Sequence, residues 1–270
     1  MVDWRQRWHN QIWALLWPVR TWFRHFPIHR GKGLIYRQVI IPALPPHPAS
    51  FSYRLRDGQL VDLYYREDLG TKVLFGGSYE DREAAELCRH VRPGTWVLDV
   101  GANIGLTSLE FARRAVKVLA FEPNRPTADR LARNLVANGF GNVIIRRFAV
   151  GAQPGTVTFH ESAQATLSSA TVMPPELVRS FEVPVTTLDA EWIAAGRPPV
   201  SAVKIDVEGG ELDALRGATE LLAAERPVIL LEAWGAQQLN PIDALLTRAG
   251  YLRTQPEGFE LRNYLFMNAS

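Results

Sequence analysis

Cysteine is almost absent: the 270 residues hold one, Cys88. That excludes an internal disulfide and a cysteine-rich metal site. Cys88 lies between Leu87 and Arg89 in a helical pattern. It reads as a packed thiol and fits a reducing, cytoplasmic compartment. Long apolar runs are missing too. The longest near the N-terminus, Ile12 to Trp17, is far below the ~18 residues a spanning helix needs, and no signal peptide is expected. An excess of one charge sign is missing as well: 30 basic residues against 28 acidic leave a net charge of +2, which gives no global argument for a nucleic-acid partner. Internal repeats and low-complexity tracts do not stand out. What remains is an ordinary globular composition on a chain long enough to bury a sizeable core in one domain, with room for an appendage.

A further shortage sits at the most informative stretch, Val97-Leu98-Asp99-Val100-Gly101-Ala102-Asn103-Ile104-Gly105. The run Val97 to Val100, broken only by Asp99, reads as a buried strand. Gly101 and Gly105 bracket a tight turn, and Leu106, Leu109, Phe111 and Ala112 follow at near-helical spacing. Strand, glycine turn and helix is an arrangement that offers backbone N–H groups to a nucleotide-like ligand. Counted from Gly101, however, the dinucleotide fingerprint needs glycines at the first, third and sixth positions. Here those positions are Gly101, Asn103 and Leu106. The missing glycines count against a nicotinamide-dependent oxidoreductase.

In chain order, residues 1–30 differ from the rest. They carry Trp4, Trp8, Trp13, Trp17 and Trp22, five of the eight tryptophans, and Arg5, Arg7, Arg20, Arg24 and Arg30 against a single acid, Asp3. The three-to-four spacing of Trp4, Trp8, Ile12, Leu15 and Val19 predicts an amphipathic helix, shortened by Pro18. Such a helix suits a bilayer interface, at the inner face of a membrane. Packing on its own domain or on a second subunit, as in a homodimer, is the other reading. Leu34 to Ile41 is an expected strand, and Pro42, Pro45, Pro46 and Pro48 make a stiff linker. We place the domain boundary there: 1–50 as appendage, 51–270 as the main domain. Phe51 to Tyr65 reads as a β-hairpin turning at Asp57-Gly58. Tyr79 to Val91 is an expected helix. From Val97 onward strands and helices alternate: strands at 116–121, 143–148, 156–160, 183–188, 200–207 and 227–231, helices at 126–138, 212–224 and 242–249, and a closing pair at 251–254 and 264–267. That alternation predicts an α/β fold, a Rossmann-like and mostly parallel sheet covered on both faces with an antiparallel closing strand.

Two groups of residues point to chemistry. Glu122 ends the next strand, 21 positions after Gly101, where a carboxylate can accept hydrogen bonds from both ribose hydroxyls of a nucleoside. A solvated loop acid is the plain alternative. Phe148 and Ala149, at the end of the third strand, can line an adenine pocket or simply pack. The second group is Lys204-Ile205-Asp206-Val207-Glu208-Gly209-Gly210-Glu211. Strand alternation puts Lys204, Asp206 and Glu208 on one face if the strand runs that far. Carboxylates beside a lysine at a strand's C-terminal end can act as a general base toward a hydroxyl. Acids decorating a helix N-terminus are the bland reading. Asp206, Glu208 and Glu232 can also converge on a hard cation; no spacing decides this, and no metal is assigned.

Taken together, Val-Leu-Asp-Val-Gly-Ala-Asn-Ile-Gly, Phe-Glu-Pro-Asn and Lys-Ile-Asp-Val-Glu-Gly-Gly-Glu resemble the FkbM-type methyltransferases. The likeness runs from Phe75 to Met267 and takes in Tyr79-Glu80 and Asn263-Tyr264-Leu265. It implies a class I methyltransferase fold, S-adenosylmethionine as cofactor, and O-methylation of a sugar, glycan or polyketide-like hydroxyl. By motif, Asp99, Gly101, Asn103, Gly105 and Glu122 would bind the cofactor. Asp206 and Glu208, with Lys204, would face the methyl group and its acceptor, Asp206 also touching the cofactor. A non-catalytic binding module remains a different class of reading, against which the retained carboxylates speak. Residues 1–50 fall outside the likeness.

Overall fold

A computed structural model describes Pro18, Thr21 and residues 50–269, without 56, 65–66, 72, 74–80 and 163–176. The amphipathic helix expected over 1–30 therefore lies outside the described residues save for Pro18 and Thr21, as do the strand at 34–41, Tyr79 and Glu80. By compactness the chain divides between Tyr79 and Glu80. The first unit contains the expected hairpin, β1 (Ser50–Arg54) and β2 (Leu60–Tyr64), paired antiparallel, followed by one helical turn, α1 (Asp68–Thr71). The Asp57-Gly58 turn closes it: Gly58 takes φ +92°, and the Asp57 carboxylate accepts the Gln59 N–H at 3.1 Å.

The second unit is the α/β domain. Its elements are α2 (Asp81–Arg89), β3 (Trp96–Val100), α3 (Leu106–Ala112), β4 (Lys117–Phe121), α4 (Arg125–Ala137), β5 (Val143–Arg146), β6 (Ala149–Val150), β7 (Gly155–Ser162), β8 (Leu177–Thr186), α5 (Leu188–Ala194), β9 (Val200–Ile205), α6 (Glu211–Arg216), α7 (Thr219–Glu225), β10 (Val228–Glu232), α8 (Gly235–Arg248), β11 (Tyr251–Thr254) and β12 (Asn263–Asn268). Seven strands form one sheet in the order β11-β12-β10-β9-β3-β4-β5. β10, β9, β3, β4 and β5 pair in parallel, while β12 runs antiparallel between β10 and β11. This is the class I methyltransferase sheet the sequence implied, with the antiparallel strand inserted one place from the edge. β6, β7 and β8 make a small separate sheet.

Alternation sorts the core. Leu98, Val100, Leu119, Phe121, Val203, Ile205, Ile229 and Leu231 meet Leu215, Leu222, Ile242 and Leu246 from the helices on one face. Asp99 and Lys204 point to the other face, toward α3. The chain builds β3, β4 and β5 to one side and then returns to place β9 on the other side of β3. The crevice above β3 and β9 is thus the topological switch point, where open parallel sheets bind their ligands.

Several boundaries differ from the sequence reading. The single helix expected at 212–224 is two. The Gly217 carbonyl accepts the Asp189 N–H at 2.9 Å instead of a helical amide, and the absence of a Cβ at Gly217 leaves room for the Gly151 carbonyl, 2.2 Å from where one would sit. The Asp189 carboxylate then restarts α7 from outside, accepting the Glu220 and Leu221 N–H groups at 3.0 and 2.9 Å. The helix expected from Ile242 begins at Gly235 and carries Pro241 inside it. The strand at 183–188 is the end of the longer β8, and β9 stops at Ile205.

Candidate active site

The turn after β3 is held by left-handed backbone at Gly101 (φ +82°), Asn103 (φ +51°) and Gly105 (φ +93°). Gly101 is required for a second reason: a Cβ there would lie 1.8 Å from the Asp206 carbonyl oxygen, which crosses directly over it. Contrary to expectation, the turn does not leave its N–H groups open. Gly101 and Ala102 donate to the Phe121 carbonyl at 3.0 and 2.9 Å, and Gly105 donates to the Ala102 carbonyl at 2.9 Å. Asn103 donates to Glu122 Oε2 at 3.0 Å, and Ile104 to Asn103 Oδ1 at 2.8 Å. The five amides are engaged by the end of β4 and by the turn itself. They form no nest for a pyrophosphate, which further weakens the dinucleotide reading.

Glu122 is the hub on the β4 side. It is 7% exposed, and its second oxygen, Oε1, accepts the Asn124 N–H at 2.8 Å. Burial pushes its carboxyl up to about 7, against the downward pull of the Asn124 and Asn103 N–H groups. Each oxygen keeps a lone pair for another donor. The Glu122 N–H donates to the Arg146 carbonyl at 3.0 Å, so the link carrying half-buried Phe148 leaves β5 beside it, and half-buried Ala149 opens β6.

Asp99, which the motif implied as a cofactor contact, sits near the end of β3. It is wholly buried under α3, and its Oδ2 accepts from Thr107 Oγ1 at 2.9 Å and from Ser108 Oγ. Burial raises its pKa, while Lys204 and the two hydroxyls pull it down. These two bonds tie the start of α3 to the strand. Lys204 stands opposite Asp99 in the β3–β9 register, is 4% exposed, and pairs with Asp206 Oδ2 at 3.0 Å. Its ammonium thus joins the buried face of the sheet to Asp206 at the end of β9.

Strand alternation does not bring Glu208 to the site, because β9 has ended. The Asp206 N–H extends the ladder by one bond, to the Val100 carbonyl at 3.0 Å, and the loop then turns through Glu208 at φ +54° and Gly209 at φ +108°. A glutamate in the left-handed region is unfavourable and is held there by its surroundings. Glu211, 2% exposed, supplies the hold by accepting the Val207 N–H at 3.2 Å and the Gly209 N–H at 3.0 Å. Burial raises the Glu211 pKa, with the loop amides working against it. It is a loop staple rather than a member of the reactive group.

Glu232, at the end of β10, completes the arrangement. Asp206, Glu208 and Glu232 each contribute one oxygen to a group lying within 4.8 Å, all three half-buried. Such oxygens can hold a divalent cation or share the proton of a hydroxyl. Asn263, 6% exposed, faces Glu232 in the β10–β12 register. Beside it, the Arg262 guanidinium lies 3.5 Å from the Trp234 ring centroid, and Trp234 is 40% exposed. Neither Trp234 nor Arg262 was singled out by the sequence, since an isolated aromatic and an isolated arginine carry no pattern. Among the described residues the structure thus gathers Asp206, Glu208, Lys204 and Glu232 over β9 and β10, and Gly101, Asn103, Gly105 and Glu122 over β3 and β4. The polar stretch holding Thr166, Ser168, Ser169 and Thr171, which by composition reads either as a loop shaping an acceptor pocket or as a plain connection, lies outside the described residues.

The chain is 34% identical over 143 residues to the hexuronic acid methyltransferase AglP of Haloferax volcanii, a match covering 49% of this chain and 53% of that protein. It thus spans about half the length of that relative. It is 28% identical over 192 residues to the methyltransferase sdnD of Sordaria araneosa, covering 58% of this chain and 73% of the other. Among solved structures, an FkbM methyltransferase from Methylobacillus flagellatus KT superposes with a TM-score of 0.46 at 16% identity, over 74% of this chain and 61% of that one. The sequence profile of the methyltransferase FkbM domain matches residues 99–253, more than half of the chain, and the protein belongs to that family.

Proposed function

We propose that this protein transfers a methyl group from S-adenosylmethionine to a hydroxyl of a sugar or glycan-type acceptor, with Asp206, Glu208 and Glu232 removing the hydroxyl proton. The observation that carries the reading is the convergence of those three carboxylates within 4.8 Å of one another at the ends of β9 and β10, beside the glycine turn that the Asp206 backbone carbonyl approaches.

The family implies S-adenosylmethionine, and the residues present fit it. Glu122 is a buried acid with lone pairs left for ribose hydroxyls, and the turn amides, all engaged, suit a nucleoside that carries no phosphate. Phe148 and Ala149 offer apolar surface beside Glu122. When bound, the cofactor supplies a sulfonium-activated methyl group. The protein's share is alignment of the acceptor oxygen and removal of its proton. The left-handed turn at Glu208 and the staple from Glu211 fix the carboxylates in advance, so little reorganisation is needed at the moment of reaction.

Two features favour a sugar. The AglP relative is named for a hexuronic acid acceptor. At the rim of this crevice, next to Glu232, Trp234 offers an exposed aromatic surface and Arg262 a stacked guanidinium, groups suited to a sugar ring and to a carboxylate. A hydroxyl rather than a carboxyl as the methylated group follows from the base: a carboxylate acceptor has no proton to remove. Labelled S-adenosylmethionine with neutral and acidic hexosides tests this. The expected product is an alkali-stable methyl ether. An alkali-labile ester, or no transfer to any hydroxyl acceptor while the cofactor binds, refutes it.

Residues 1–30, with five tryptophans and five arginines, are in our reading a peripheral contact with an anionic membrane face. This would bring the crevice to a membrane-proximal glycan. No helix among the described residues is long and apolar enough to cross a membrane.

A further inference from the structure

Asn124 belongs to the Phe-Glu-Pro-Asn motif, yet the chemistry above leaves it without a role. It stands at the N-cap of α4, a position where asparagine normally bonds the first free N–H groups of the helix. Here no side-chain hydrogen bond caps α4. The side chain turns away instead, and Nδ2 donates to Glu161 Oε1 on β7 at 3.0 Å. A carboxylate can only accept, so this bond fixes which end of the amide is nitrogen. Oδ1 therefore points elsewhere. It is buried without any donor, on a residue 4% exposed.

A buried acceptor that neither caps its helix nor meets another group is costly unless a donor arrives from outside the chain. Its position says which donor. The Asn124 N–H is bonded to Glu122 Oε1, so the side chain stands beside the ribose acid. The link from β5 to β6 leaves beside Glu122, whose N–H donates to the Arg146 carbonyl at 3.0 Å; it carries half-buried Phe148 and Ala149, and the guanidinium of Arg147 is engaged by Asp129 at 2.6 Å. Glu122 accounts for the ribose hydroxyls. The remaining donor of an adenine nucleoside is the exocyclic amine of the purine.

Resting on the S-adenosylmethionine reading of this site, we propose that Asn124 is a cofactor-binding residue whose Oδ1 accepts a hydrogen bond from the adenine amine, making it the determinant of purine identity. Its tether, Glu161 on β7, is itself paired with Arg179, so the orientation of the amide is fixed with Oδ1 left for a donor. A 6-oxo purine would present a second acceptor to Oδ1, and sites built to bond a donor reject analogues that lack it.

Calorimetry on the full chain tests this with two probes, S-adenosylhomocysteine and its deaminated counterpart S-inosylhomocysteine. The unaltered protein is expected to favour the adenosyl ligand by about tenfold or more, the worth of one bond in a desolvated site. In Asn124→Ala the ratio falls toward one, mainly through weaker adenosyl binding. Asn124→Ser retains a helix-capping hydroxyl and should lose the same preference, which separates recognition from capping and serves if the alanine variant does not fold. An unchanged ratio in both variants, with adenosyl binding intact, overturns the assignment of Asn124 and leaves the cofactor reading standing. Failure of the unaltered protein to bind either probe overturns both.

Discussion

Replacing Glu122 with glutamine tests the cofactor site through one atom. The carboxylate is held by the Asn103 N–H at 3.0 Å and the Asn124 N–H at 2.8 Å, and burial raises it to about 7 in the unliganded fold. Hydrogen bonds to a charged group are worth about 1.5–3 kcal/mol. Their loss at the ribose corresponds to roughly 10- to 100-fold in affinity. Glutamine also turns an amide NH₂ toward one of the two backbone donors, so at least one of them goes unmatched. The sign of the pH dependence follows from the raised value. An unfolded glutamate titrates near ~4.3, so the group disfavours the fold increasingly as pH climbs from there through about 7. Ribose hydroxyls donate to the ionised form and pull its pKa down on binding. Affinity for S-adenosylmethionine therefore rises with pH up to about 7 and is flat above, weakening by up to about tenfold per unit below. Calorimetry at about pH 6 and pH 8, in buffers of different ionisation enthalpy, reads both the affinity and the proton released. The reasoning fails if Glu122→Gln binds within twofold of the unaltered protein at pH 8. It fails equally if the unaltered protein binds more weakly as pH rises.

Two further outcomes are expected. Gly101→Ala must place a Cβ 1.8 Å from the Asp206 carbonyl oxygen at φ +82°. It should destabilise the domain by upwards of about 2 kcal/mol in chemical denaturation and weaken cofactor binding, whereas alanine at Gly139, which has open space around it, should affect only the local turn. Removing residues 1–30 should abolish co-sedimentation with anionic vesicles, an association that also weakens with salt, while leaving S-adenosylmethionine binding in place; if full-length and truncated proteins both remain in the supernatant and truncation converts a dimer to a monomer, the segment is a subunit contact.

The parallel sheet and its switch point are legible because they rest on local pattern: apolar runs such as Val97–Val100 and Ile229–Leu231, each followed by a helical period. Glu122 is legible for the same reason, as the acid that ends the strand after the glycine turn. What escapes the sequence is set by contacts between distant segments. The amides of 101–105 look available until β4 folds alongside and the Phe121 carbonyl and Glu122 take three of them. Glu208 reaches the carboxylate group through a left-handed turn that a non-glycine residue does not advertise. The break between α6 and α7 is made by Asp189, whose N–H takes the Gly217 carbonyl and whose carboxylate takes the Glu220 and Leu221 N–H groups. Asn124 carries a local capping signal that loses to Glu161, thirty-seven positions away.

The central claim is that the carboxylates over β9 and β10 deprotonate an acceptor presented to a bound S-adenosylmethionine. Single-turnover methyl transfer at saturating cofactor, in Asp206→Asn and in Glu208→Gln, tests it most directly. The prediction is a fall of ~10²-fold or more in the transfer rate, with thermal stability near that of the unaltered protein and, for Glu208→Gln, unchanged cofactor affinity. Transfer at the original rate in both variants would contradict the claim.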